Sequence, residues 1–178
     1  VYGGGSLFVY NTEPGPVTGI GTMAVGGTTA GTVGGSGLFD GNITVNNLGV
    51  VVPGGNAVGT LTCGPLTVNN GGKVKMEVAG TQADRLNVQG ELNLYASNDT
   101  LEFTAGYTLD QPSSPYTLIT YTGALVGTFN NKPALTLGWW LDYGTGSNSA
   151  ILLKYTPPPT ITSVSPAEGW SSGGTSVT

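Results

Sequence analysis

Two related segments, NITVNNLG at residues 42–49 and LTVNNGG at residues 66–72, decide the fold. The pattern Ile/Leu-Thr-Val-Asn-Asn returns after roughly 24 residues, and LNVQG at residues 86–90 repeats its rhythm about 20 residues later. A period in this range is typical of solenoid proteins, in which each turn of the chain stacks on the one before. The repeats predict a parallel β-solenoid with apolar side chains inside and Asn and Gly at its corners.

The sequence around these repeats is typical of an all-β protein. Short apolar runs alternate with turn-forming residues, 31 of the 178 residues are Gly, and no stretch shows a convincing helical period. Lys73 to Val78 alternates strictly between polar and apolar residues, which predicts a strand with one buried face. The same features also suit an antiparallel β-sandwich with Gly-rich hairpins, which stays open as the alternative.

Composition excludes several classes of function. The chain has 5 basic and 10 acidic residues, no His and one Cys, Cys63. Without His there is no Ser-His-Asp or Cys-His catalysis, and one Cys allows neither an intrachain disulfide nor a zinc knuckle. Five cations argue against nucleic-acid binding, and no apolar run reaches the roughly 18 residues of a membrane span. We expect no metal and no cofactor, and a buried, unreactive Cys63.

The chain divides into four predicted parts. Residues 1–99 are assigned to solenoid turns, and residues 100–155, where the aromatic residues concentrate, to a C-terminal cap. A cap is needed because the end of a solenoid exposes core side chains and unpaired strand edges. Residues 156–159 form a Pro-rich linker, and residues 160–178 form a further strand segment.

Three aromatic residues in the predicted cap, Trp139, Trp140 and Tyr143, are candidates for a glycan-binding or interface surface. Adjacent residues of a strand point to opposite faces, so at most one of the two tryptophans can belong to the core. The other is expected to be exposed or to lie in an interface.

Residues 30–155 resemble the β-helix modules near the end of the passenger regions of bacterial autotransporters and related surface adhesins. The resemblance rests on PGGN at residues 53–56, GTLT at 59–62, ADRLNV at 83–88, and the segments 116–129 and 139–153. It implies a structural β-helix of an extracellular, cell-surface protein.

A second resemblance covers residues 159–178, PTITSVSPAEGWSSGGTSVT, which are similar to the opening of an IPT/TIG domain of immunoglobulin-like fold. Such a domain implies binding or spacing. One strand cannot bury its apolar face alone, so we expect Ile161, Val164 and Val177 to add as a strand to a neighbouring copy or to an adjoining domain.

These observations favour a structural role without catalysis, as a shaft or filament subunit that assembles with copies of itself. A carbohydrate-binding module that recognises surface glycans is the first alternative. A polysaccharide-degrading β-helix enzyme is the second, with Glu77, Asp84, Glu91, Asp99 and Glu102 as its candidate acids. We interpret Asp84-Arg85 as a local charge pair in a turn.

Overall fold

The chain forms short β-strands separated by turns, in a computed structural model that describes residues 5–10, 17–144 and 149–163. No α-helix occurs among these residues, and one 3₁₀ turn spans Gln111–Ser113. The all-β prediction is therefore confirmed. The strands are β1 Ser6–Val9, β2 Val17–Val25, β3 Gly31–Gly35, β4 Leu38–Val45, β5 Gly49–Pro53, β6 Thr60–Cys63, β7 Leu66–Val68, β8 Lys73–Met76, β9 Val78–Gly80, β10 Gln82–Ala83, β11 Arg85–Val88, β12 Leu92–Leu94, β13 Thr100–Phe103, β14 Thr108–Leu109, β15 Tyr116–Tyr121, β16 Leu125–Gly127, β17 Trp139–Asp142 and β18 Ala150–Tyr155.

One sheet, sheet A, has the order β1-β3-β5-β8-β13 and is parallel throughout. Its register places Val33 beside Val51, Val51 beside Val74, and Val74 beside Leu101. All four side chains are at most 1% exposed. Side chains alternate between the two faces of a strand, so this apolar column faces the interior while residues between its members face outward.

A larger sheet, sheet B, has the order β16-β12-β7-β4-β6-β11-β15-β18-β17, and β2 pairs with β4. Strand β4 is long enough to pair with β6 near one end and with β7 near the other. At the β7 end, Ile43 lies beside Leu66 and Val45 beside Val68. The two segments that define the repeat therefore lie side by side in register, as predicted.

Antiparallel pairing occurs in the described residues between β9 and β10, between β15 and β18, and between β17 and β18. Parallel pairing with earlier strands continues beyond residue 100, since β13 pairs with β8, β15 with β11 and β16 with β12. Apart from the short β9–β10 pair, antiparallel pairing in the described part of the chain thus begins only with β15, after the predicted start of the cap at residue 100.

The apolar side chains of sheets A and B form one hydrophobic cluster that runs from Val9 to Leu153. Cys63 belongs to it and is fully buried, as predicted. None of the described residues belongs to a helix with the length and apolar character that crossing a bilayer requires.

Candidate functional site

The three predicted aromatic residues do not share one surface. Trp139 is 8% exposed and packs between Tyr116 and Tyr155, with ring centroids 5.8 and 5.3 Å away. Trp140, the next residue of β17, is 42% exposed. This opposition follows from the alternation of side chains along a strand and confirms that only one of the two tryptophans is core.

Lysine side chains lie over the rings of Trp140 and Tyr143. The Nζ atom of Lys154 is 5.4 Å from the Trp140 ring, and that of Lys132 is 5.7 Å from the Tyr143 ring. The indole nitrogen of Trp140 also donates a hydrogen bond to the hydroxyl of Thr156 at 3.1 Å. Burial raises the pKa of Tyr143 to about 12. The rings of Trp140 and Tyr143 therefore already contact other residues of the same chain.

The predicted strand at residue 160 is not formed over residues 160–163, which have no regular secondary structure. Ile161 is 86% exposed there, because no neighbouring strand among the described residues pairs with this segment. Val164 and Val177 lie outside the described residues. Addition of this segment to another chain stays a prediction.

The candidate acids of an enzyme do not gather in one groove. Asp84 and Asp99 are at most 1% exposed, whereas Glu91 lies on the surface. Glu102 forms exposed ion pairs with Lys73 at 3.3 Å and Lys75 at 3.8 Å. Within the described part of the chain, no three His, Cys, Asp or Glu residues are arranged to hold a metal ion.

The interpretation of Asp84-Arg85 as a local charge pair is wrong. Asp84 is buried and its carboxylate accepts hydrogen bonds from the backbone nitrogens of Gly59 at 2.9 Å and Glu77 at 2.7 Å, while Arg85 is exposed. The two neighbours point to opposite sides because the chain is extended as it enters β11.

Asp99 and Asp142 play a similar part, and this role was not predicted from the sequence, which indicated Asp99 only as a candidate acid. Asp99 accepts a hydrogen bond from the backbone nitrogen of Asn130 at 2.8 Å. Asp142 accepts one from Gly144 at 3.1 Å and pairs with Lys154 at 2.5 Å. The sequence feature that could have identified these residues is their position at the ends of strands. Each buried Asp precedes or ends a strand, where backbone N–H groups lack ladder partners.

A groove of about 630 Å³, lined largely by Asn, Thr and Ser, lies on the outer face of β7 and β12 and beside the turns that follow them, and we call it the asparagine groove. Register places Thr67 beside Asn93, and Asn93 beside Val126, as an outward-facing row between the buried rows of sheet B. The residues that line the groove include Asn46, Asn69, Asn70, Asn93, Tyr95 and Ser97.

Tyr95 stands at the edge of this groove and is 82% exposed. Its backbone nitrogen donates a hydrogen bond to the side-chain oxygen of Asn93 at 3.1 Å, which fixes the turn that presents the ring. A second cavity of about 430 Å³ shares Tyr95, Ala96 and Ser97 with the asparagine groove and reaches Asn130. Sequence analysis assigned the Asn pairs to corners and did not identify the surface that they form with Tyr95.

Comparison with protein-family models finds no match, and comparison with curated proteins finds none either. The resemblances to adhesin β-helix modules and to IPT/TIG domains therefore stay predictions that rest on the quoted residues.

Proposed function

We propose that this chain is a parallel β-solenoid that serves as a structural segment, a shaft or filament subunit, of an extracellular bacterial surface adhesin or fibre. The observation that carries the proposal is the apolar column Val33, Val51, Val74 and Leu101, in which each residue comes from a later strand of sheet A. In a solenoid, each strand pairs with its equivalent in the next turn, which gives such columns.

The separations between hydrogen-bonded partners support the same architecture. Asn69 and Asn46 are 23 residues apart, Ser97 and Asn70 are 27 apart, and Asn131 and Asn98 are 33 apart. Separations in this range are expected where every residue contacts its counterpart one turn away. An antiparallel sandwich joins neighbouring strands through hairpins instead, and many of its partners lie only a few residues apart.

A stack of this type is rigid without disulfides, because backbone hydrogen bonds run along its axis and a continuous core lies inside. The low content of charged residues, 8%, weakens repulsion between copies. The proposed partners are other copies of the chain or adjoining domains of the same surface protein. The proposal assigns no catalysis to the chain.

Electron microscopy of the purified chain, without added ligand, tests the filament role. We expect filaments whose axial repeat corresponds to one subunit. A variant without residues 160–178 should remain as discrete particles, whereas Leu137→Ala, at an 83% exposed side chain, should assemble like the wild type. Discrete particles of the full chain at every concentration would overturn the filament role.

Immunogold labelling of intact producing cells tests the location. Antibodies against the purified chain should label the outer surface without permeabilisation. Labelling that appears only after permeabilisation would contradict an extracellular role.

A further inference from the structure

We propose that the asparagine groove binds a neutral oligosaccharide, with the ring of Tyr95 as a stacking platform and the Asn side chains as hydrogen-bonding partners. The groove is separate from Trp139, Trp140 and Tyr143. The proposal does not depend on filament formation, because it rests only on the outer face of β7 and β12 and on the turns that follow β4, β7 and β12.

The chemistry of the lining favours a sugar. A pyranose ring has apolar C–H faces and a rim of hydroxyl groups, each of which can donate and accept hydrogen bonds. A carboxamide offers both a donor group and an acceptor, and thus matches a hydroxyl in either role. An exposed tyrosine ring supplies a flat apolar surface of low conformational entropy for the C–H face.

The charge of the lining favours a neutral ligand. Every residue that lines the asparagine groove and the adjoining cavity is uncharged. An acidic glycan or a phosphate group would need a cation to replace its lost hydration, and the chain as a whole has a net charge of −5. Neutral hydroxyls carry no such requirement.

The polar groups of the groove are held in place before a ligand arrives. Asn69 donates its amide to the oxygen of Asn46 at 3.0 Å. The oxygen of Asn70 accepts hydrogen bonds from the backbone nitrogen of Ser97 at 2.8 Å and from its hydroxyl at 3.1 Å. These bonds use one end of each carboxamide and leave the amide nitrogens of Asn46 and Asn70 and the oxygen of Asn69 for a ligand. Groups fixed in this way lose little entropy on binding.

The dimensions of the surface favour an oligomer over a single sugar. Adjacent parallel strands are roughly 4.8 Å apart, a spacing comparable to the length of one pyranose residue in a chain. Tyr95 lines both cavities, so a ligand that lies across the strands can extend from one cavity into the other. We therefore expect hexasaccharides to bind more tightly than the monosaccharides from which they are built.

Isothermal titration calorimetry with cellohexaose, maltohexaose, xylohexaose, mannohexaose and laminarihexaose tests the proposal, with hexagalacturonate as the acidic comparison. At least one neutral hexaose should bind, and Tyr95→Ala should weaken its affinity roughly tenfold or more. Asn70→Ala should also weaken binding. Trp140→Ala, at another exposed aromatic residue, is the matched control and should leave the affinity unchanged, with circular dichroism confirming that each variant is folded.

Three results would overturn the proposal. The first is that none of the five neutral hexaoses produces a heat of binding at about 10 mM. The second is binding of hexagalacturonate alone. The third is binding that Tyr95→Ala leaves intact and Trp140→Ala abolishes, which would assign the site to the tryptophan surface. None of these results depends on whether filaments form.

Discussion

The buried carboxylate of Asp84 accepts a hydrogen bond from the backbone nitrogen of Gly59, 25 residues earlier in the chain, at 2.9 Å. Its other oxygen accepts one from the backbone nitrogen of Glu77 at 2.7 Å. Gly59 lies just before β6, Glu77 just after β8, and Asp84 just before β11. One side chain therefore links three segments of backbone. It adds to the backbone hydrogen bonds that Asp84 donates to Glu77 at 2.8 Å and Arg85 donates to Gly59 at 2.9 Å.

Replacing Asp84 with Ala should lower the free energy of unfolding by about 2–4 kcal/mol, because two backbone N–H groups in the interior would lose their acceptor. Urea denaturation measures this change. Asp40→Ala, at an exposed aspartate of β4, should change it by less than about 0.5 kcal/mol. A loss below about 1 kcal/mol for Asp84→Ala would mean that water replaces the carboxylate.

The same residue should make stability depend on pH. Burial raises the pKa of Asp84 from 3.8 to about 6, although the hydrogen bonds from Glu77 and Gly59 act in the opposite direction. A raised pKa means that the folded state holds the proton more tightly than the unfolded state. The contribution of Asp84 is therefore complete below pH 3.8 and is lost as pH rises through about 6.

Urea denaturation at a series of pH values measures this effect. The free energy of unfolding of Asp84→Asn should be lower than that of the wild type at acidic pH, since one N–H would face an amide instead of an oxygen. As pH rises from 3.8 to about 6, the free energy of unfolding of Asp84→Asn should decline less than that of the wild type, because Asn does not titrate. Parallel pH curves for the two proteins would show that another group causes the decline.

Removal of a side chain from the column Leu61, Leu86 and Ile119 should leave a cavity that the neighbouring strands cannot fill. We expect Leu86→Ala to lower the free energy of unfolding by about 2–5 kcal/mol. Thermal denaturation provides the measurement, and Leu137→Ala, at an 83% exposed position, is the control. Equal effects of the two substitutions would contradict the burial of this column.

Gly49 lies where two strands approach too closely for a side chain. A Cβ atom there would lie 2.3 Å from the carbonyl oxygen of Val25, so the backbones would have to separate. Gly49→Ala should lower the free energy of unfolding by more than about 2 kcal/mol. Gly21→Ala should have little effect or stabilise slightly, since a Cβ atom at that position would have no atom within 4 Å. Similar denaturation midpoints for the two variants would refute the close approach.

Cys63 should react only when the protein unfolds. Burial raises the pKa of its thiol to about 12, so the thiolate that attacks alkylating reagents is scarce in the folded state. Mass spectrometry after iodoacetamide treatment should find no adduct on the native protein and complete modification in concentrated urea. Rapid modification under native conditions would show that the β6 region opens to solvent.

Local patterns predicted the strands best. The alternation in Lys73 to Val78 corresponds to exposed or half-buried polar residues between the buried Val74, Met76 and Val78. The spacing of the two Asn-Asn segments predicted that they would align, and Thr44 lies beside Thr67. Such predictions succeed because side chains alternate faces along a strand whatever its neighbours are.

The amino-acid sequence by itself thus determined that the protein is all-β, which face of the strand at Lys73 to Val78 is buried, and that the Asn-Asn segments lie side by side. Only the tertiary structure decided that Asp84 and Asp99 are buried and accept hydrogen bonds from backbone nitrogens. It also decided that Trp139 belongs to the core and that Tyr95 borders a groove. The physical reason is distance along the chain. The partners of Asp99 and Asn70 lie 31 and 27 residues away, and loops of unequal length set which residues meet. A local pattern carries no information about those loops.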